Sequence, residues 1–205
     1  MMEEIARKTN IKIVIPDYPL SPESTYVDVY SFLESVYNDL LTQTKSENII
    51  FLGDSAGGGL SLGLAQKLQK EKKAVPSQMI LISPWLDVTM SDPDVQKIDP
   101  FDKLLSIKGL VWAGKVYAGK QSTQDPLISP IYGDSRGLGK ISIFIGTHDV
   151  LHSDSVRLKK NLEANKIPFN YFEYPNMFHV WPAIVGMKES DSAIEQISNL
   201  VICGK

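Results

Sequence analysis

Two serines between residues 48 and 68 lie in the pattern G-x-S-x-G: Gly53-Asp54-Ser55-Ala56-Gly57 and Gly59-Leu60-Ser61-Leu62-Gly63. A serine flanked in this way can act as a nucleophile, because small neighbours allow a turn tight enough to present its hydroxyl. One match arises by chance in roughly one chain in ten of this length, so the surroundings must decide. Before Ser55 runs Asn48-Ile49-Ile50-Phe51-Leu52, a short apolar stretch rich in β-formers that reads as a buried strand. After it, Leu60, Leu64 and Leu68 recur every four residues with Ala65 beside them, one face of a helix. Ser55 thus falls at a strand-to-helix junction, with Gly53, Asp54 and Gly57 forming the elbow around it. Ser61 lies about two turns into the helix, its hydroxyl tied to regular backbone. Ser55 is the candidate nucleophile.

A serine hydroxyl needs a general base, and the base needs an acidic partner to fix its tautomer. The chain has three histidines. In open parallel sheets, functional groups gather beyond the carboxyl ends of the strands. His148 and Asp149 follow the apolar run 141–145 directly, and His179 follows the run 169–174. Three strand ends therefore deliver Ser55, Asp149 and His179, in that order. His148 shares its strand end with Asp149, so the two would have to face each other as neighbours. His152 sits at a helix start, where capping or a surface place is expected. Asp154 is the second choice of acid, but "HSDS" reads as a helix start in which Asp154 favours the dipole.

These groups must be held by a scaffold, and the scaffold is legible as alternation. Apolar runs at 11–15, 48–52, 78–82, 141–145 and 169–174 alternate with helical patterns, as at Val29, Leu33, Val36 and Leu40. A last helix is expected over about 192–202, opened by a capping box of Ser192 with Glu195. Strands alternating with crossover helices imply the α/β class, with a mainly parallel sheet covered by helices on both faces. The segment from Val88 to Lys140, about fifty residues, is too long for a simple crossover. It carries Leu104, Ile107 and Val111 at helical spacing, so a helical insertion is expected at about 88–125. Two readings stand for it: a decorated crossover, or a pocket wall. Core packing is the simpler reading for Trp85, Trp112, Phe178 and Trp181, lining of a pocket the alternative.

Composition narrows the classes. At 205 residues, 43% hydrophobic and 22% charged, the chain is of ordinary globular type and of one-domain size. A net charge of −3 gives no reason to expect nucleic acid as a partner. No apolar run approaches the roughly 18 residues of a membrane span, and the N-terminus shows no signal-peptide pattern. The single Cys203 excludes an internal disulfide and fits a reducing compartment, so the cytoplasm is the expected location. Phosphate-loop, zincin and C-x-x-C motifs do not occur.

Six segments together resemble the hormone-sensitive-lipase-like branch of the α/β-hydrolases: "DYPLSPE" (17–23), "GDSAGG" (53–58), "SPWLD" (83–87), "DPLISP" (125–130), "GTHDVLHSD" (146–154) and "MFHVWP" (177–182). The resemblance covers nearly the whole chain. It implies an α/β-hydrolase fold and hydrolysis of small-molecule carboxylesters, usually of short acyl chains. It also implies Ser55 as nucleophile, His179 as base, Asp149 as orienting acid, and no metal or cofactor. By the same resemblance, the insertion helps to wall the acyl pocket.

The chain departs from that pattern at one place. Members of the branch carry a His-Gly-Gly loop, upstream of the "DYxLxPE" element, that supplies oxyanion N–H donors, and no His-Gly-Gly occurs here. The backbone N–H of Ala56 remains as a donor, and each lost donor typically costs 10²–10³-fold in kcat. The expectation is a catalytic domain over 1–205 that is the C-terminal part of a longer hydrolase, its N-terminal strands and cap missing. The strands at 11–15 and 48–52 would then each show an unpaired edge. Three functional readings follow: a serine esterase, a non-catalytic ligand-binding or inactive remnant, and an amidase or deacetylase using the same three residues.

Overall fold

A computed structural model describes residues 1–203. Helix α1 (Met2–Thr9) and an extended segment without strand pairing lead to α2 (Tyr26–Gln43). Then follow β1 (Ile50–Asp54), α3 (Ala56–Lys70) and β2 (Gln78–Ile82). The insertion carries α4 (Val95–Ile98) and α5 (Ile107–Ala118). The chain continues through β3 (Lys140–Gly146), α6 (His152–Ala164), β4 (Phe169–Tyr174) and α7 (Lys188–Cys203). The strands pair in parallel in the order β1-β2-β3-β4.

This order decides where the helices go. Each crossover steps the same way across the sheet, and right-handed connections therefore put α3 and α6 on one face. Leu62 and Ala65 of α3 and Leu158 and Leu162 of α6 pack there, against Met79, Leu81, Ile141 and Ile143. The alternate strand residues, Ile80, Ile82 and Phe144, point to the opposite face. They meet Ile5 of α1 and Ala193, Ile194, Ile197 and Val201 of α7. β2 is buried along its whole length, which is why its sequence reads as a continuous apolar run and not as an alternation. α2 lies outside α3, with Tyr30, Tyr37, Leu64 and Leu68 between them. Among the described residues, no helix is long and apolar enough to cross a membrane.

Two expected elements differ. Residues 11–15 form no strand. An extended run becomes a strand only when a neighbour accepts its backbone hydrogen bonds, and β1, the outer strand, does not pair with it. The capping box at Ser192 does not form either: α7 starts at Lys188, which leaves Ser192 inside the helix. The extra turn is held by packing, since Ser190 is buried and its hydroxyl donates to the Trp181 carbonyl at 2.6 Å. Ser192 instead accepts from the Tyr174 hydroxyl at 3.2 Å.

Ile143 is fully buried at the middle of β3, a site with no room to collapse. Ile143→Ala is expected to lower unfolding free energy by about 2–5 kcal/mol, read as a lower urea midpoint with an unchanged denaturant slope.

Candidate active site

Ser55 follows β1 and is the first residue off the strand. Its N–H donates to the Ile82 carbonyl at 3.0 Å, so the β1–β2 ladder runs one step beyond the strand. Its backbone then turns back at φ 50°, ψ −119°. That region is costly for a residue with a Cβ, by about 1–3 kcal/mol, and persists only where the surroundings enforce it. Here they do: the Ser55 carbonyl accepts from the N–H groups of Gly58, Gly59 and Trp85 at 3.1, 3.2 and 2.9 Å. α3 begins at Ala56, whose N–H precedes any intrahelical acceptor. It therefore lies free at the positive end of a helix of 15 residues.

The glycines of the elbow do different work. A Cβ on Gly53 would lie 2.1 Å from the Gly57 carbonyl oxygen, and one on Gly58 would lie 2.8 Å from Pro84 Cβ. Gly57 itself faces open space, with nothing within 4 Å of where its Cβ would be. The requirement for small residues thus holds at Gly53 and not at Gly57. Asp54 ends β1 exposed. Ser61 is an ordinary helix serine, its hydroxyl donating to the Gly57 carbonyl at 2.8 Å.

Asp149 and His179 are brought together. Asp149 is fully buried in the turn after β3. Its Oδ2 lies 3.0 Å from His179 Nδ1, and its Oδ1 accepts from the Leu151 N–H at 2.9 Å. The neighbouring Val150 N–H donates to Asp102 Oδ2 at 2.9 Å, so the insertion itself braces the turn that carries Asp149. His179 is held from the other side. Val180 adopts φ 53°, unusual for a β-branched residue, and its N–H donates to the buried Ser83 hydroxyl at 3.1 Å. The Ser55 turn and the His179 loop are thus fastened to consecutive residues at the end of β2, Ile82 and Ser83. Among the described residues, the Ser55 hydroxyl makes no hydrogen bond to the imidazole. Catalytic hydrogen bonds are often long until substrate binds.

The other histidines are occupied elsewhere. His148 stacks on Phe101, ring centroids 5.0 Å apart, and His152 Nε2 lies 2.9 Å from Glu173 Oε2. Asp154 does stand in the first turn of α6, but it is fully buried and paired with Arg157 at 2.8 Å rather than with a histidine. Arg157 also binds Asp87 at 2.9 Å. Burial, then the charge of Asp87, push the Asp154 carboxyl up to about 7, against the pull of Arg157. Asp87 is buried too, but hydrogen bonds from Thr89, Arg157 and Ser91 outweigh that and hold it below the usual carboxylate range. The aspartate of "SPWLD" is thus a structural anchor between the β2 exit and α6. Sequence reasoning missed it because, although Thr89 and Ser91 are local, the partners that make it an anchor, Arg157 and Tyr132, lie far along the chain.

Two hollows border the elbow. A groove of about 540 Å³ runs along the open side of β1, between the 11–18 segment and α2, and reaches Gly57 and Leu60. A smaller, almost wholly apolar pocket of about 180 Å³ starts at Ala56 and is walled by Tyr30, Trp85, Val88, Tyr117 and Ile128. Ala113 and Tyr117 of α5 line it, so the insertion is a pocket wall as well as a crossover. Of the aromatic residues weighed above, Trp85 lines this pocket, Trp181 is core, Phe178 packs against the core and Trp112 is 67% exposed.

The comparisons agree with this architecture. A family model described as alpha/beta hydrolase fold matches residues 1–183. An esterase of Acinetobacter venetianus is 32% identical over 181 residues, covering 87% of this chain and 60% of the relative. A triacylglycerol lipase of Mycobacterium tuberculosis is 30% identical, covering 86% of this chain and 36% of the relative. Among solved structures, a hormone-sensitive lipase from a metagenome library superposes with a TM-score of 0.95 at 27% identity, over 99% of this chain and 69% of that one. The hormone-sensitive-lipase homologue EstE7, also from a metagenome library, gives 0.94 at 27% identity, over 99% and 71%. The chain thus spans less than two thirds of the length of these two curated relatives.

Two outcomes test the site's construction. Gly53→Ala forces a Cβ into backbone and is expected to destabilise by about 1–3 kcal/mol, whereas Gly57→Ala leaves the melting temperature unchanged or higher. The second concerns Asp154. A carboxyl whose pKa is higher folded than unfolded stabilises the fold fully below its unfolded value of about 4 and loses that contribution as pH rises through about 7. The Asp154 contribution to stability, taken from urea midpoints, should fall between about pH 4 and pH 7, and Asp154→Asn should remove that component of the pH dependence.

Proposed function

The chain belongs to the α/β hydrolase fold family, and from that premise we propose that it is a serine esterase cleaving short-chain carboxylesters through Ser55, His179 and Asp149. The observation that carries this reading is the 3.0 Å contact between His179 Nδ1 and buried Asp149 Oδ2. It fixes the proton on Nδ1 and leaves Nε2 as the base. The strained turn at Ser55, fastened to the β2 end beside the anchor of the His179 loop, supports the nucleophile assignment. So do the names of the relatives, an esterase and a triacylglycerol lipase.

In this reading Ser55 Oγ attacks the ester carbonyl carbon while His179 Nε2 takes its proton. The carbonyl oxygen becomes an oxyanion facing the Ala56 N–H at the start of α3. The C–O bond breaks, and the alcohol leaves with the proton from His179. Water then attacks the acyl-serine, giving a proton to His179, which returns it to Ser55 Oγ as the acid departs. The 180 Å³ pocket beside Ala56 supports a short acyl group: an apolar cavity of about 150 Å³ holds one benzene. The Ala56 N–H is thus one oxyanion donor, a contribution typically worth about 10²–10³-fold in kcat.

The test is fluorophosphonate labelling followed by intact mass, together with p-nitrophenyl butyrate hydrolysis. One adduct is expected on wild type and none on Ser55→Ala. His179→Ala should lose turnover to background, and Asp149→Asn should fall by about 10⁴-fold in kcat with an unchanged circular dichroism spectrum. A folded chain that takes no adduct would overturn the proposal.

A further inference from the structure

Asp149 is followed by two fully buried residues, Val150 and Leu151, whose N–H groups both need acceptors. The Leu151 N–H donates to Asp149 Oδ1 at 2.9 Å, while Asp149 Oδ2 lies 3.0 Å from His179 Nδ1. The Val150 N–H is satisfied from outside the turn, by Asp102 Oδ2 at 2.9 Å, a partner 48 residues away. Asp102 is itself buried, and its Oδ1 accepts from the N–H groups of Leu104 and Leu105 at 2.8 and 2.9 Å. Its two oxygens therefore have separate duties, one to the local turn and one to the turn carrying Asp149. The neighbouring contacts repeat this pairing. Phe101 stacks on His148 with the ring planes inclined by 17°, so two adjacent insertion residues hold the residues just before and just after Asp149. Val150 and Leu151 share an apolar cluster with Val95, and Leu105, Ile107 and Leu110 pack against it.

We propose that Asp102 is a positioning residue for Asp149: by accepting from the Val150 N–H, it holds the turn in the conformation that aims Asp149 Oδ2 at His179. Without that bond a buried N–H beside Asp149 is left unsatisfied, and the turn must shift to recover an acceptor. Asp149, the adjoining residue, shifts with it, and the imidazole loses the partner that fixes its tautomer. The kinetic consequence rests on the esterase reading, whereas the effect on the imidazole does not. Asp102→Asn separates the two duties at nearly constant shape. Its Oδ1 can still accept from Leu104 and Leu105, as asparagine and aspartate both do in such turns. Its Nδ2 is then a donor, and it meets the Val150 N–H donor to donor.

The experiment labels the histidine ring nitrogens with ¹⁵N and reads their tautomers at about pH 9, where imidazoles are neutral; His179 is assigned by its loss in His179→Ala. Wild type is expected to hold the proton on Nδ1, and Asp102→Asn to show a mixture of both tautomers. In the same variant, kcat for p-nitrophenyl butyrate should fall by about 10²-fold, the scale of a small misplacement of a reacting group, with KM little changed. Asp102→Ser, whose hydroxyl can hold the local turn but supplies only one oxygen, should behave alike and serves if Asp102→Asn does not fold. Ile143→Ala, which loosens a different core cluster, should keep the wild-type tautomer and kcat while folded. A wild-type tautomer in the Asp102 variants overturns the inference and leaves the esterase reading standing where wild type turns over ester; a tautomer mixture with undiminished kcat overturns the inference as well. A mixture in a protein that hydrolyses no ester even as wild type upholds the positioning of Asp149 and removes the esterase reading.

Discussion

The Ser55 N–H bonded to the Ile82 carbonyl extends the β1–β2 ladder by one residue just where the chain has left the strand, and the site is built outward from that bond. Because the ladder continues, Ser55 stays in line with the sheet. Because α3 must begin at the next residue, the backbone has to reverse there, and it does so at a φ that a serine would not choose alone. The strain is held by three N–H donors converging on the Ser55 carbonyl, two from the first turn of α3 and one from Trp85 beyond β2. Gly53 is then required, since the reversing chain brings the Gly57 carbonyl within 2.1 Å of any Cβ placed there. The same reversal leaves the Ala56 N–H unspent.

β2 is the hub. Its last residues receive the Ser55 turn at Ile82 and the His179 loop at Ser83, and its exit supplies Trp85 to the pocket and Asp87 to the charge network. Asp87 and Arg157 join that exit to α6, while Asp102 joins the insertion to the turn carrying Asp149. The cost of burying these carboxylates is offset by the hydrogen bonds that converge on them, and Asp154 is the member left partly unmatched, one oxygen without a partner among the described residues.

The outer side of β1 is open. Among the described residues no strand pairs with it, and the groove alongside is bounded by a segment that runs extended without forming a ladder. Gly57 faces this groove with nothing near its missing side chain. The elbow therefore has one well-packed flank, towards Pro84 and Trp85, and one open flank. The smaller pocket, walled by Trp85 and Tyr117, lies beside the packed flank, which is why its shape is defined.

Much of this was present in the order of residues alone. Strands β2 and β3 were legible because each is a short run buried on both faces, which leaves a local signature, and β1 and β4 because β-forming residues dominate them. Ser55, Asp149 and His179 were legible as candidates because strand ends are where a parallel sheet gathers its functional groups, and Asp149 and His179 do lie in contact. What tertiary structure decided were the matters that depend on a distant partner. Residues 11–15 have the composition of a strand and form none, because strand formation requires a neighbour and β1 provides no pairing. Ser192 looks like a cap and lies inside a helix, because Ser190 finds the Trp181 carbonyl. Trp112 has a core residue's chemistry and an exposed place, and Asp154 has a cap's position and a buried ion pair. Periodicity records which face a residue is on, but not what stands opposite; the meeting of Trp85 and Tyr117 at one pocket, set by the packing of two elements remote in sequence, belongs to that second kind.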